Sequence, residues 1–132
     1  METQQERSAI EQSIFSFSDA FNATDIPKIV ASFTPDGINM PNNAPAAQGV
    51  EQLTKAFGFL FSMAKINIGY TVDEIILNGD YAFARTNSKV DTVVKASGEQ
   101  ILLENKEVFL FRNQNGSWKI SHYIFNNTKT GK

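Results

Sequence analysis

The sequence predicts an α+β domain with three N-terminal helices packed on one face of a strongly curved, mixed or antiparallel sheet. Three observations carry this expectation. Apolar residues up to Ala64 recur at helical spacing, those from Ile66 onward follow the spacing of strands, and short Asn- and Gly-containing turns divide the second half. Helices followed by strands, without βα alternation, place the helices on one face of a sheet. A chain of 132 residues fits one domain, 1–132. That length can bury a core without cross-links.

Each element has its own signal. Thr3 to Glu6 reads as a capping box, and Ile10, Ile14, Phe17 and Phe21 then form one apolar helical face. Asn22 to Thr24 breaks that helix. Asp25 is a suitable N-cap for a second, short helix, and Pro27 is tolerated in its first turn. This helix carries Ile29, Val30 and Phe33 and stops before Pro35. "PDG" (Pro35 to Gly37) reads as a turn, "INM" as a short strand, and Pro41 to Gly49 as a loop. Val50, Leu53, Phe57, Leu60, Phe61 and Ala64 mark a third helix. Strands are then expected over Ile66 to Leu77, Tyr81 to Val94 and Gln100 to Arg112, with a last one in "SWKISHYIF". The turns fall at "NGD", "KASGE" and "NQNG".

Composition narrows the chemistry. The absence of cysteine excludes thiol catalysis, Cys-ligated zinc and disulfides. With a single histidine, His122, and no cysteine, no transition-metal site is expected, which leaves carboxylates as the means of holding a hard cation; no cofactor is expected. The net charge is −2, and the basic residues are scattered. The densest basic grouping, Lys129 and Lys132, is too thin to track phosphates, so nucleic acid is not an expected partner. The polar start "METQQERSAIEQ" lacks the apolar core of a signal peptide. No apolar run approaches the ~20 residues of a membrane span, so no membrane is implied and a cytoplasmic protein is expected. Eleven Phe stand against three Tyr and one Trp. They suit an apolar core or the wall of an apolar ligand cavity.

Four segments, in this order, resemble the nuclear-transport-factor-2-like superfamily, in its SnoaL-like branch. They are "FNATDIPKIVASFTPDGINMP", "GVEQL", "NGDYAFART" and "FLFRNQNGSWKI". The resemblance covers nearly the whole chain and rests on the order and spacing of the blocks. It implies a cone fold with a deep apolar pocket for a small molecule, and frequent homodimers. It does not imply one reaction. The superfamily includes ketosteroid isomerase, SnoaL-type polyketide cyclases, scytalone dehydratase, limonene-type epoxide hydrolases and non-enzymatic binders, so function must be argued from the site.

Ketosteroid isomerase needs a carboxylate base, a tyrosine and a protonated acid. Carried onto this chain, the base position holds Pro41, the tyrosine position holds Phe17, and only the third, Glu107, keeps an acid. Limonene-type hydrolases resemble this chain only at "NKE" (Asn105 to Glu107), where their Arg is missing. The His-dependent dehydratases and cyclases leave His122 to consider.

Which side chains of the last strand face the cone depends on the turn before it. A two-residue turn at Asn115-Gly116 pairs Gln114 with Ser117 and sets Phe109 opposite His122 and Glu107 opposite Ile124. A bulged turn pairs Asn113 with Ser117 and sets Glu107 opposite Tyr123. The superfamily resemblance favours the second, since it puts Glu107 on the concave face. Ser121, Tyr123 and Phe125 then face the cavity, and His122 points outward with Trp118, Ile120 and Ile124.

The expected ligand-binding set is Phe17, Asn105, Glu107, Phe109, Ser121, Tyr123 and Phe125, with Tyr70 and Tyr81 as further hydroxyl candidates. Glu107 is expected to bond directly to Tyr123, and Arg85 is either its partner or an outward group. The leading functional expectation is a binder of a small apolar or aromatic molecule. The alternative is a cofactor-independent isomerase, dehydratase or cyclase using Glu107 with Tyr123 or His122. A homodimer through the outer sheet face, at Trp118, Ile120 and Ile124, completes the expectation.

Overall fold

The computed structural model describes residues 4–131, with side chains through residue 128. Thr3, and with it the capping box, lies outside the described residues, as does Lys132. Helix α1 spans Gln4–Asn22, α2 Ile26–Ala31 and α3 Gly49–Met63. The strands are β1 Phe33–Met40, β2 Ala47–Gln48, β3 Ala64–Asn78, β4 Tyr81–Val94, β5 Gln100–Gln114 and β6 Ser117–Gly131. They form one six-stranded sheet in the order β2-β1-β6-β5-β4-β3. The sheet is mixed, because β1 runs parallel to β6 while the other pairs are antiparallel.

The helices bury the faces that their spacing marks. Ile10, Ile14, Phe17 and Phe21 of α1 are in the core, as are Leu53, Phe57 and Phe61 of α3. Asp25 Oδ1 accepts from the Lys28 N–H at 3.3 Å and caps α2. Asn22, which ends α1, ties the helix to the sheet. Its Nδ2 donates to the Ile68 carbonyl at 3.0 Å, and its Oδ1 accepts from the Ile68 N–H at 2.7 Å. Both groups of the amide are thereby satisfied where a helix end meets a strand.

Several local expectations are corrected. "PDG" is not a turn: β1 runs through it, and the ladder to β6 slips between Phe33 and Ile38. Gly37 fits there because an added Cβ would lie 2.8 Å from Phe33 Cβ and 3.0 Å from the Ile120 carbonyl oxygen. Phe33 opens β1 instead of closing α2, and Ala64 opens β3 instead of closing α3. The short strand β2 inside the 41–49 loop carries no sequence signal of its own length. β6 continues past "SWKISHYIF" and pairs with β5 as far as Leu102.

The last hairpin departs most instructively. Gln114 pairs with Ser117, and Asn115 and Gly116 have φ of 55° and 87°. That is a two-residue turn with both central residues left-handed, the register that the resemblance argued against. A bulge at Ser121 then shifts the ladder by one residue: Phe111 pairs with Ile120, but Leu110 pairs with His122. Glu107 therefore sits opposite Phe125, not Tyr123, and Phe109 sits opposite Tyr123. The bulge also turns Trp118 and Ile120 into the core, where both are buried, so the expected outer-face role of these two is wrong. Of the three, only Ile124 stays outside, 42% exposed.

Candidate functional site

The concave face of β6, β5, β4 and β3 is built in rows set by the ladder. One row is Tyr123, Phe109, Ala84 and Ile75; the next is Phe125, Glu107, Thr86 and Val72; the third is Asn127, Asn105, Ser88 and Tyr70. The first row is the aromatic floor. Phe17 descends onto it from α1 and packs on Tyr123 at 5.4 Å, Phe109 at 6.0 Å and Tyr70 at 6.4 Å between ring centres. Phe109 and Tyr123 lie 4.6 Å apart, and Phe125 extends the surface at 5.5 Å from Tyr123. Rings in tilted and edge-on arrangements gain beyond their buried area.

Polar groups cross this apolar floor. Glu107 is only 2% exposed. Thr86 Oγ1 donates to its Oε1 at 2.7 Å, and Ser88 Oγ donates to its Oε2. Burial raises the Glu107 pKa above its ordinary value of about 4.5. The two hydroxyl bonds oppose the rise without cancelling it, and the charge of Asp73 adds to it. No Lys or Arg is paired with Glu107 among the described residues. Arg85 points to the opposite face, where it bonds Glu74 at 3.0 Å and lies 3.8 Å from Asp73.

The remaining expected residues divide clearly. Tyr123 does not bond Glu107; its hydroxyl lies 2.6 Å from that of Tyr70. Burial pushes both phenols well above the ordinary tyrosine range, so they act here as neutral hydrogen-bonding groups. Asn105 is on the Glu107 face but accepts from Asn127 Nδ2 at 2.5 Å, and Asn127 in turn accepts from Asn42 Nδ2 at 2.9 Å. Phe17, Phe109 and Phe125 contribute walls. Ser121 is not brought to the site, because its hydroxyl donates to the Leu110 carbonyl at 3.1 Å within the bulge. His122 is half-buried on the outer face, its Nδ1 3.0 Å from Ser121 Oγ. Tyr81 is exposed on the outer face. Among the described residues, no cluster of His, Cys, Asp and Glu could hold a metal ion.

Sequence reading missed Thr86, Ser88 and Asn39. The first two carried a signal, since they alternate with Asn87 on a strand whose other inward residues are apolar or small. Asn39 is buried and shares a face with Tyr123, its partner in the ladder. Two cavities lie away from this site. One of about 250 Å³ is lined by Ser13, Ser16, Lys28 and Trp118. The other, about 590 Å³, involves Asn67, Gly69, Lys89, Asp91 and Leu102 on β3, β4 and β5.

Helices held against the concave side of a bent mixed sheet, with a polar cluster among rings inside it, define an α+β cone domain. The chain belongs to the SnoaL-like domain family, whose pattern matches residues 14–121. Its fold is similar to a ketosteroid isomerase-like protein from Erwinia carotovora atroseptica SCRI1043, with a TM-score of 0.91 and 29% identity over 96% of this chain and 99% of that one. It is also similar to a hexachlorocyclohexane dehydrochlorinase, LinA Type2, with a TM-score of 0.88 and 12% identity over 96% and 88% of the two chains. A cystatin-like-fold protein from Nostoc punctiforme gives a TM-score of 0.75 and 19% identity over 96% and 95%. The last two likenesses concern the fold alone. No curated protein sequence matches the chain. No helix among the described residues is long and apolar enough to cross a membrane.

Proposed function

We propose that this chain binds a small apolar or aromatic molecule inside the cone, with Glu107 and its hydroxyl partners as the polar anchor. The observation that carries the reading is a carboxyl buried among aromatic walls and paired with no cation among the described residues. Such burial costs stability, and acids whose titration is shifted by apolar surroundings concentrate at sites of function. Half-buried Phe125, Leu103 and Ile101 supply the apolar rim that a ligand would displace or cover. Turnover by acid–base chemistry would need a second titratable group facing Glu107. His122 is on the opposite face, and the Tyr123 hydroxyl is engaged with Tyr70. The geometry therefore supports binding over catalysis.

Titration with 2-naphthol tests this. Saturable one-to-one binding is expected, with Kd roughly 10–100 μM for so small a ring compound, accompanied by a rise in Tm. Absence of saturable binding by 2-naphthol and by methylated or larger bicyclic aromatics would reject the reading. Isomerisation of a Δ5-ketosteroid is not expected, because Pro41 cannot take a proton and Phe17 cannot donate a hydrogen bond. Turnover that disappears on Glu107→Gln would overturn this expectation.

The same reading includes a homodimer through the convex face. Phe83, Leu110 and Ile38 lie in one outward row with His122, and Val108, Ile124 and Met40 lie in the next with Arg85. The apolar members form a contiguous patch. A second copy suits it because the flanking charges are of both signs, Arg85 with Asp73 and Glu74 on one side and Lys89 with Glu104 on the other. Light scattering should show a dimer at tens of micromolar, and the double substitution Leu110→Lys, Ile124→Lys should give a folded monomer. A monomeric wild type would contradict the proposal.

A further inference from the structure

Among the described residues, the inner face of the cone leaves one fully buried side-chain acceptor without a partner. Glu107, Thr86, Ser88, Tyr70, Tyr123 and Asn105 bond among themselves or to Asn127. Asn39 is 7% exposed, and its Oδ1 has no partner. The other buried side-chain polar atom without one, among the described residues, is Arg112 Nε, on the outward row of β5. Asn39 pairs with Tyr123 across parallel strands, and side chains so paired stand on the same side of a sheet. Tyr123 in turn packs on Phe17 and Phe125. The unmet group is therefore an acceptor beside an aromatic wall. A buried acceptor left without a donor is costly, and a ligand that supplies the donor recovers that cost.

We infer that Asn39 sets the ligand's chemistry: the cone takes an aromatic or apolar molecule bearing a neutral hydrogen-bond donor, a hydroxyl, which donates to Asn39 Oδ1. This rests on the ligand-binding reading above and sharpens it. A carboxylate ligand fits poorly, having no proton to donate and facing a second buried carboxyl in Glu107. A ketone or ether leaves Oδ1 unmet, since each can only accept a hydrogen bond.

A matched pair of probes tests the inference. 2-Naphthol has the donor; 2-methoxynaphthalene has the same rings with the donor methylated. Both affinities are measured for the wild type and for Asn39→Leu, together with the Tm of each protein. The ratio of naphthol to ether affinity should fall about three- to tenfold in Asn39→Leu, the weight of one neutral hydrogen bond. The Tm of Asn39→Leu should be equal to or above that of the wild type, because an unpartnered acceptor is replaced by an apolar group of similar size. An unchanged ratio overturns the inference and leaves the binding reading standing. A variant that melts much lower or does not fold assigns Asn39 a structural role and also overturns it. Failure of both probes to bind the wild type rejects the binding reading, and this inference with it.

Discussion

Phe17→Ala is expected to cost about 3–5 kcal/mol, the usual range for removing a fully buried ring, and to lower Tm by roughly 10–20 °C. Five rings pack against Phe17: those of Phe21, Phe33, Tyr70, Phe109 and Tyr123. No neighbour can close the gap without leaving its own partners, so the cavity cost adds to the lost burial. Phe17→Leu, which keeps much of the volume, should cost less than half as much. Denaturant melts of the two variants check this. Equal and small losses would mean that the aromatic floor is loosely packed and that Phe17 is a dispensable wall.

The second expected result concerns Glu107→Gln. The folded protein holds the Glu107 proton more tightly than the unfolded chain does, since its pKa is raised. Between the unfolded value, about 4.5, and the raised folded value, the native state binds more protons. The stability contributed by this group is thus fully present below the unfolded pKa and is lost as pH rises through the folded one. Glutamine has no charge to bury and can still bond Thr86 and Ser88. The difference in Tm, variant minus wild type, should rise with pH across that window and then level off. A flat or falling difference would show that Glu107 is solvated or paired. The same substitution should weaken 2-naphthol binding several-fold, whereas His122→Ala, on the opposite face, should leave it unchanged.

The fold was legible because it rests on periodicity. Ile10, Ile14, Phe17 and Phe21 repeat at helical spacing whatever packs against them, and the long strands alternate apolar and polar residues. The inward face was legible at Glu107, Phe109, Tyr123 and Phe125, and the reason is instructive. The turn register favoured for the last hairpin was not the one formed, yet the bulge at Ser121 restored the face that it implied. A bulge changes which residues face inward without changing composition, so no local pattern announced it, and Trp118 and Ile120 were assigned outward in consequence. Tyr70 and Tyr81 looked equivalent in sequence. Only the ladder separates them, placing one hydroxyl on Tyr123 and the other in solvent. Asn39 was invisible for a different reason: a missing hydrogen-bond partner is a property of three-dimensional neighbours, not of the residue.

The central claim is that the ligand lies on the concave side of the sheet, at Glu107. Leu102 and Leu103 are sequence neighbours on opposite faces of β5. Leu103 is half-buried and packs against the core; Leu102 is 51% exposed. Leu103 also borders the 590 Å³ cavity, so intermolecular nuclear Overhauser effects from bound 2-naphthol to the Phe125 ring and to the Leu102 methyl groups decide the matter directly. The account predicts contacts to the ring of Phe125, with none to Leu102. Contacts to Leu102 and to Gly69 would place the ligand in the 590 Å³ cavity instead and would contradict the claim.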